Sequence, residues 1–251
     1  MLSDPWFFAV AIPAVILFGL SKAGLGAALA IPTVPLIALS VPPLQAAAIM
    51  LPIIIAMDAT AILTFRREFD RRTLIYTLPA GLFGVGIGWM TAAYVTDAHV
   101  RLIIGVIAIS FAMKYWLGGR EVKEPKPHNA WKARFWATVA GFTSFVSHSG
   151  GVPFQMYTLP LRFEPRMLVA TSVMFFSTIN LSKLVPYIAL GQITQQTLLA
   201  SLVLSPLAPL TVLFGVRILN IIPKEPFYRL TYACVLIVGA KMLWDGIAAL
   251  V

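Results

Sequence analysis

The chain has 251 residues, 59% apolar and only 12% charged, with a mean hydropathy of +0.86. Soluble domains run near 45–50% apolar with about 25% charged residues, so the composition excludes a water-soluble globule. At about 20 apolar residues per crossing helix, the length holds at most about ten spans and no separate soluble domain.

In chain order, Met1-Leu2-Ser3-Asp4-Pro5 lacks the positive n-region of a signal peptide, so the first apolar run is expected to stay in the mature protein. That run belongs to a pair of short apolar stretches, 6–20 and 25–39, hinged at Ser21-Lys22-Ala23-Gly24-Leu25-Gly26. Uninterrupted runs follow over 44–65, 73–95 and 100–117, each long enough to cross with some tilt. After the polar stretch 118–133 comes a second pair of short stretches, 135–146 and 151–161, hinged at Ser147-His148-Ser149-Gly150-Gly151. Long runs return at 166–190, 196–216 and 227–248. Short apolar segments separated by polar, Gly-rich turns predict broken or re-entrant helices.

The two halves repeat each other. Ser21-Lys22 precedes the first glycines as Ser147-His148 precedes the second. Asp58 follows Pro43 by 15 residues, and Asn180 follows Pro165 by the same 15. Arg101-Leu102 and Trp116 recur as Arg229-Leu230 and Trp244. The predicted domains are therefore a first transmembrane repeat at 1–117, a basic cytoplasmic linker at 118–133 and a second repeat at 134–251.

Charge placement predicts how the repeats are oriented. Of the 19 Lys or Arg and 10 Asp or Glu, 18 fall within 66–72, 114–134 and 217–229. The loop 66–72 carries four Arg, whereas its counterpart at 191–196 carries no charge. Conversely 217–229 holds three positive residues where 96–100 holds only Asp97 and His99. Basic loops stay cytoplasmic, so their exchange between halves predicts inverted repeats with both termini outside. The expected fold is all-α and polytopic: two inverted repeats, each a Gly-hinged broken or re-entrant hairpin plus three full transmembrane helices.

The net charge of +9 is explained by these loops, and without basic–aromatic repeats it does not predict a nucleic-acid partner. The single cysteine, Cys234, excludes an intramolecular disulfide. His99, His128 and His148 are far apart and form no metal motif, so no metal and no cofactor are expected. No nucleophile–base spacing predicts an enzyme: Ser182 and Lys183 are adjacent and point about 100° apart on a helix.

Three charged residues lie deep in apolar segments, Lys22, Asp58 and Lys183, with His148 at the second hinge. Charges at that depth cost several kcal/mol on most scales (roughly 2.5–3.5 on the lowest), so they pair, face a cavity or act. Gly-rich hinges free backbone N–H groups, and helices beginning after Gly26 and Gly151 would turn positive ends toward a midplane pocket. The expected anion-binding residues are Ser21, Lys22, Gly24, Gly26, Ser147, His148, Ser149, Gly150, Gly151, Asn180 and Lys183. Asp58 and His148 are the candidates for carrying a coupling proton. Structural alternatives stand beside these: a permanent Lys22–Asp58 ion pair, Lys183 on carbonyls freed near Pro186, and Asn180 joining helices. Gly81, Gly84, Gly86 and Gly88 fit close helix packing, Trp6, Trp116, Trp131, Trp136 and Trp244 fit interface anchoring, and Lys241 is placed to snorkel.

At these residues the chain resembles the sulfite exporter TauE/SafE family, an organosulfonate and sulfite permease group. The resemblance is carried by Gly19-Leu20-Ser21-Lys22-Ala23-Gly24-Leu25-Gly26, Val34-Pro35-Leu36, Pro42-Pro43-Leu44-Gln45-Ala46 and Met57-Asp58. In the second half it is carried by Ser147-His148-Ser149-Gly150-Gly151-Val152-Pro153, Asn180-Leu181-Ser182-Lys183, Tyr187 and Gly191. Ala23 and the run Ser149-Gly150-Gly151-Val152 depart from the usual pattern, and neither removes a charge or a donor. The resemblance implies a secondary transporter exporting sulfite or an organosulfonate across a bacterial cytoplasmic membrane, with H+ or Na+ as coupling ion and lipid as its surroundings. An uncoupled anion channel or facilitator, or an importer of a related anion, is the alternative.

Overall fold

The computed structural model describes residues 4–25, 27–30, 33–91, 97–118, 124–147, 149–189, 191 and 193–249. Helix α1 is Pro5–Leu20, with Pro5 at its first position and Asp4 accepting a hydrogen bond from the Trp6 N–H at 2.9 Å. It runs on into a widened turn, Ser21–Leu25, in which Gly24 takes φ +95°. A 3-10 turn at Ala27–Ala30 and the short α2, Thr33–Ile37, complete the hairpin. Then come α3 (Pro43–Phe65), α4 (Arg71–Thr91) and α5 (Asp97–Leu117). The second half holds α6 (Ala130–Ser147), α7 (Gly151–Thr158) with a 3-10 turn at Leu159–Leu161, and α8 (Pro165–Ala189). It closes with α9 (Gln195–Leu204), α10 (Leu207–Leu219) and α11 (Lys224–Ala248).

The described residues contain helices and no strand. Five helical segments among them are long and apolar enough to cross a membrane, six when α9 and α10 count as one bent span. Helices suit lipid because every backbone donor finds its acceptor within the segment. Side-chain hydroxyls follow the same rule: Thr60, Thr64 and Thr171 donate to the carbonyls of Ala56, Thr60 and Met167, four residues back. Large apolar side chains such as Leu63, Ile75, Met90 and Phe214 point outward, as a hydrocarbon solvent allows.

Three elements differ from the sequence expectation. The run 196–216, read as one uninterrupted span, is bent by 43° between α9 and α10. Pro206 and Pro209 supply no N–H to the helix there, and the Ser205 hydroxyl donates to the Leu202 carbonyl at 2.8 Å. Among the described residues, the stretch after the first hinge holds only the 3-10 turn and the five residues of α2. The first arm, in turn, is longer than read, a 20-residue span from Pro5 to Gly24.

Small residues let the helices approach closely. A Cβ on Gly141 of α6 would lie 1.9 Å from the Gly81 carbonyl of α4, and one on Gly84 would lie 2.1 Å from the Thr138 carbonyl. Helices α5 and α11 meet in the same way at Gly105, Ala108 and Gly239. They run antiparallel, with Arg101 3.7 Å from Asp245 at one end and Tyr115 stacked on Tyr232 at 3.7 Å at the other. Helices α3 and α8 are antiparallel too: Tyr187 packs with Ala47 and Leu51, while Arg166 sits 5.5 Å from the Phe65 ring.

One end of the bundle gathers the charged loops. Arg166 donates to both Glu68 oxygens at 2.6 Å and also reaches Asn220. Arg162 pairs with Glu225 and Lys224 with Glu164, both at 2.7 Å. The linker joins this end, its Lys126 N–H donating to the Pro160 carbonyl and His128 lying 3.8 Å from Asp70. Residues from all three charge-rich stretches of the sequence thus lie together.

Two predictions follow from the packing. Gly141→Ala forces α4 and α6 apart and should cost about 1–3 kcal/mol, whereas Gly86→Ala, with nothing within 4 Å, should be neutral or gain up to about 1 kcal/mol of helix propensity. Thermal unfolding in detergent separates the two signs. For pH, the hydrogen bonds from Arg166 hold the Glu68 carboxyl below its ordinary value of 4.5. That stability is present above pH 4.5 and is lost as pH falls through the lower folded-state value. Glu68 is partly exposed, so screening limits the effect to about 1 kcal/mol or less. Acidification below that pH should therefore lower Tm slightly more in the wild type than in Glu68→Gln.

Candidate functional site

The site begins where α1 gives out. Gly24 at φ +95° turns the chain as few other residues can, and a Cβ there would lie 2.2 Å from Val169, so the turn presses directly on α8. This close approach brings Lys22 inward, its side chain only 8% exposed, to form an ion pair with Asp58 of α3. The carboxylate is in turn held by α8. The Ser177 hydroxyl donates to Oδ1 at 2.8 Å, and the Asn180 amide donates to Oδ2 at 2.9 Å. Both oxygens of Asp58 are therefore occupied, Oδ1 by Lys22 and Ser177 and Oδ2 by Asn180. Of the two readings open at the sequence level for Lys22 and Asp58, the ion pair is formed.

Ser177, Asn180 and Lys183 are spaced by three residues and so share one face of α8. The first two are taken up by Asp58. Lys183 is completely buried, and its Nζ has no hydrogen-bond partner among the described residues. A buried cation without a partner is among the costlier arrangements a protein can hold. A bond from Lys183 to carbonyls near Pro186, the other structural alternative, is not made among the described residues.

Lys183 lines a cavity of about 130 Å³ between the two hinges. Ser21, Lys22 and Gly24 enter from the first hinge, Ser149 and Gly151 from the second, and Asn180 from α8. Seven of the eleven residues read from the sequence as anion-binding thus surround one space. Gly150 is not among them; a Cβ there would lie 2.4 Å from the Ala140 carbonyl, so this glycine packs the hinge against α6. Asp58 stands behind Lys22, outside the lining. Gly26, His148 and the Ser147 side chain lie outside the described residues.

The sequence reading missed Gln155 of α7, which lines the same cavity and whose buried Oε1 has no partner among the described residues. The signal was available: Gln155 is the one amide or charged side chain between 135 and 161, apart from His148. Ser177 was missed as well, though it lies three residues before Asn180. The rest of the wall is mostly apolar, with the rings of Phe18, Phe154 and Phe176 prominent and the hydroxyls of Ser144, Ser172 and Thr231 among them. Helix α7 begins at the cavity with Gly151, and its N-cap residue, Gly150, offers no side chain to cap it. A pocket with a lysine amine that lacks a hydrogen-bond partner among the described residues, an amide, hydroxyls and a helix start can hold a small anion.

A family model described as sulfite exporter TauE/SafE matches residues 11–242. Comparison with curated proteins and with solved structures gives no match.

The buried pair makes a prediction of its own. Asp58→Leu leaves Lys22 unpaired and should cost about 3–5 kcal/mol. The double variant Lys22→Met, Asp58→Leu should recover most of that loss. A double-mutant cycle on thermal unfolding in detergent measures the coupling, and strictly additive losses would contradict the pair.

Proposed function

This chain belongs to the sulfite exporter TauE/SafE family, and on that premise we propose that it is a secondary transporter carrying sulfite or a small organosulfonate outward, bound in the cavity between its two hinges. It is a multi-pass membrane protein, and members of its family are transporters. The observation that carries the reading is the Lys183 ammonium, buried without a partner beside the cavity. An oxyanion supplies the acceptors that this group lacks, and charge-assisted hydrogen bonds are stronger than neutral ones. Ser21, Ser149 and Gln155 line the same space, and hydroxyl and amide N–H groups are directional donors to an anion. Lys22, already paired with Asp58, presents a polarised edge.

The packing supports a carrier built from two inverted repeats, 1–117 and 134–251, joined by the linker 118–133. Helix α4 packs on α6, and the equivalent α10 packs on α1; α4 packs on α8, and α10 on α3. Each pair of equivalent long helices, α3 with α8 and α5 with α11, meets antiparallel. Asp58 and Asn180, equivalent in the repeat, are hydrogen-bonded to each other. A two-fold relation in the membrane plane accounts for all of this, and rocking one repeat against the other would expose the cavity alternately to each side. The end bearing the basic loops faces the cytoplasm in this reading, and Asp58 or His148 takes the coupling ion, H+ or Na+.

The test is thermal stabilisation of the purified protein by sulfite, taurine and sulfoacetate, with acetate as control. Ligand at one hundred times its Kd should stabilise by about 2.7 kcal/mol. Lys183→Met should lose that response while unfolding at a higher temperature than wild type without anion, because it removes an unpaired buried charge. An unchanged anion response in Lys183→Met would overturn the assignment of the site.

A further inference from the structure

The charges around the cavity can be counted, and the count bears on which anions enter. The hinge after α1 brings Lys22, α3 brings Asp58, and α8 brings Lys183. Helix α7 brings the neutral Gln155, α6 brings Ser144, and α11 brings Thr231. Among the described residues, no other Asp, Glu, Lys or Arg lines this space.

Lys22 and Asp58 cancel. The carboxylate spends both oxygens on Lys22, Ser177 and Asn180, and it lies outside the lining. The pair therefore acts as a dipole whose positive end faces the cavity, with no net charge. Lys183, when protonated, alone adds a net positive charge, and its Nζ has no hydrogen-bond partner among the described residues.

We propose that the site is matched to a single negative charge and takes monoanions, such as a sulfonate, in preference to dianions of the same size. This rests on the reading of the cavity as an anion site. A monoanion beside Lys183 brings the cluster to neutrality. A dianion leaves one negative charge uncompensated among the rings of Phe18, Phe154 and Phe176, where a low-dielectric wall makes that charge costly. Its second charge must be left behind, neutralised by a proton, or held at a penalty.

Methanesulfonate and sulfate test this directly, since both are tetrahedral and close in size and differ by one charge. Perchlorate, a monoanion without a methyl group, separates charge from the apolar contact. Binding is measured by calorimetric titration of the full chain in detergent at constant ionic strength and one fixed pH at which sulfate is a dianion. His148→Gln is run in parallel.

The expected result is that methanesulfonate and perchlorate each bind at least tenfold more tightly than sulfate, in wild type and His148→Gln alike. Asp58→Asn and Gln155→Lys each raise the cluster from one positive charge to two. Either should shift the sulfate-to-methanesulfonate ratio at least tenfold toward sulfate, and Gln155→Lys leaves the buried ion pair intact should Asp58→Asn fail to fold. Sulfate binding the wild type as tightly as methanesulfonate would overturn the valence rule and leave the anion site standing, as would a ratio that ignores the added charge. Binding of none of the three anions would overturn the anion site itself and the inference with it.

Discussion

The Asp58 carboxylate is the interaction on which the middle of this molecule depends. It joins the first hinge to α3 through Lys22 and α3 to α8 through Ser177 and Asn180. Four polar groups that would each be costly alone in an apolar interior satisfy one another. With them in place, the chain can widen its helix at Ser21–Leu25 and break it at Gly24 in the middle of a bundle, because this segment is tied down on two sides. Irregular backbone at membrane depth is tolerated only where protein or a cavity surrounds it, and here both do.

Around that centre the rest is close packing and peripheral charge. Glycines 81, 84 and 141 bring α4 and α6 to backbone contact, and Gly105 with Gly239 does the same for α5 and α11. Such contacts matter in lipid, where apolar side chains gain little by leaving one hydrocarbon surrounding for another and association rests on contact and hydrogen bonding. Most of the peripheral ionic groups sit instead at one end, where Glu68, Arg166 and Asn220 join loops from both halves of the chain, while Arg101, Lys241 and Asp245 lie at the other. Between the tight periphery and the polar centre, the cavity is a place where packing is incomplete.

The cavity holds an arrangement that works against stability. Replacing Lys183 by an apolar residue would spare the fold a buried charge without a partner. Gln155 beside it is also buried and without a partner on Oε1 among the described residues, and in the proposed reading this point trades stability for anion binding. The two groups lie on α8 and α7, helices of the second half, while Lys22 and Ser21 face them from the first. A ligand there touches both halves, which is what a carrier needs if occupancy is to influence their relative position.

The amino-acid sequence by itself determined the membrane class, the lengths of most spans, both hinges and the isolated residues Lys22, Asp58, Asn180 and Lys183. It could do so because lipid is a severe solvent: each polar residue in an apolar run carries a cost, and each cost marks a position worth reading. Asn180 and Lys183 were legible in this way, and so was Gln155, had the same rule been applied to the segment after the second hinge. Only the tertiary structure decided which of these charges cancel. Lys22 and Asp58 are separated by 36 residues, and Asp58 and its partners on α8 by 119 and 122, so hydropathy along the chain carries no record of their meeting. The same holds for the packing role of Gly150 against Ala140 and for Lys183 being left without a partner. Compensation of a buried charge depends on distance through space between helices remote in sequence, and that is set by how the helices pack.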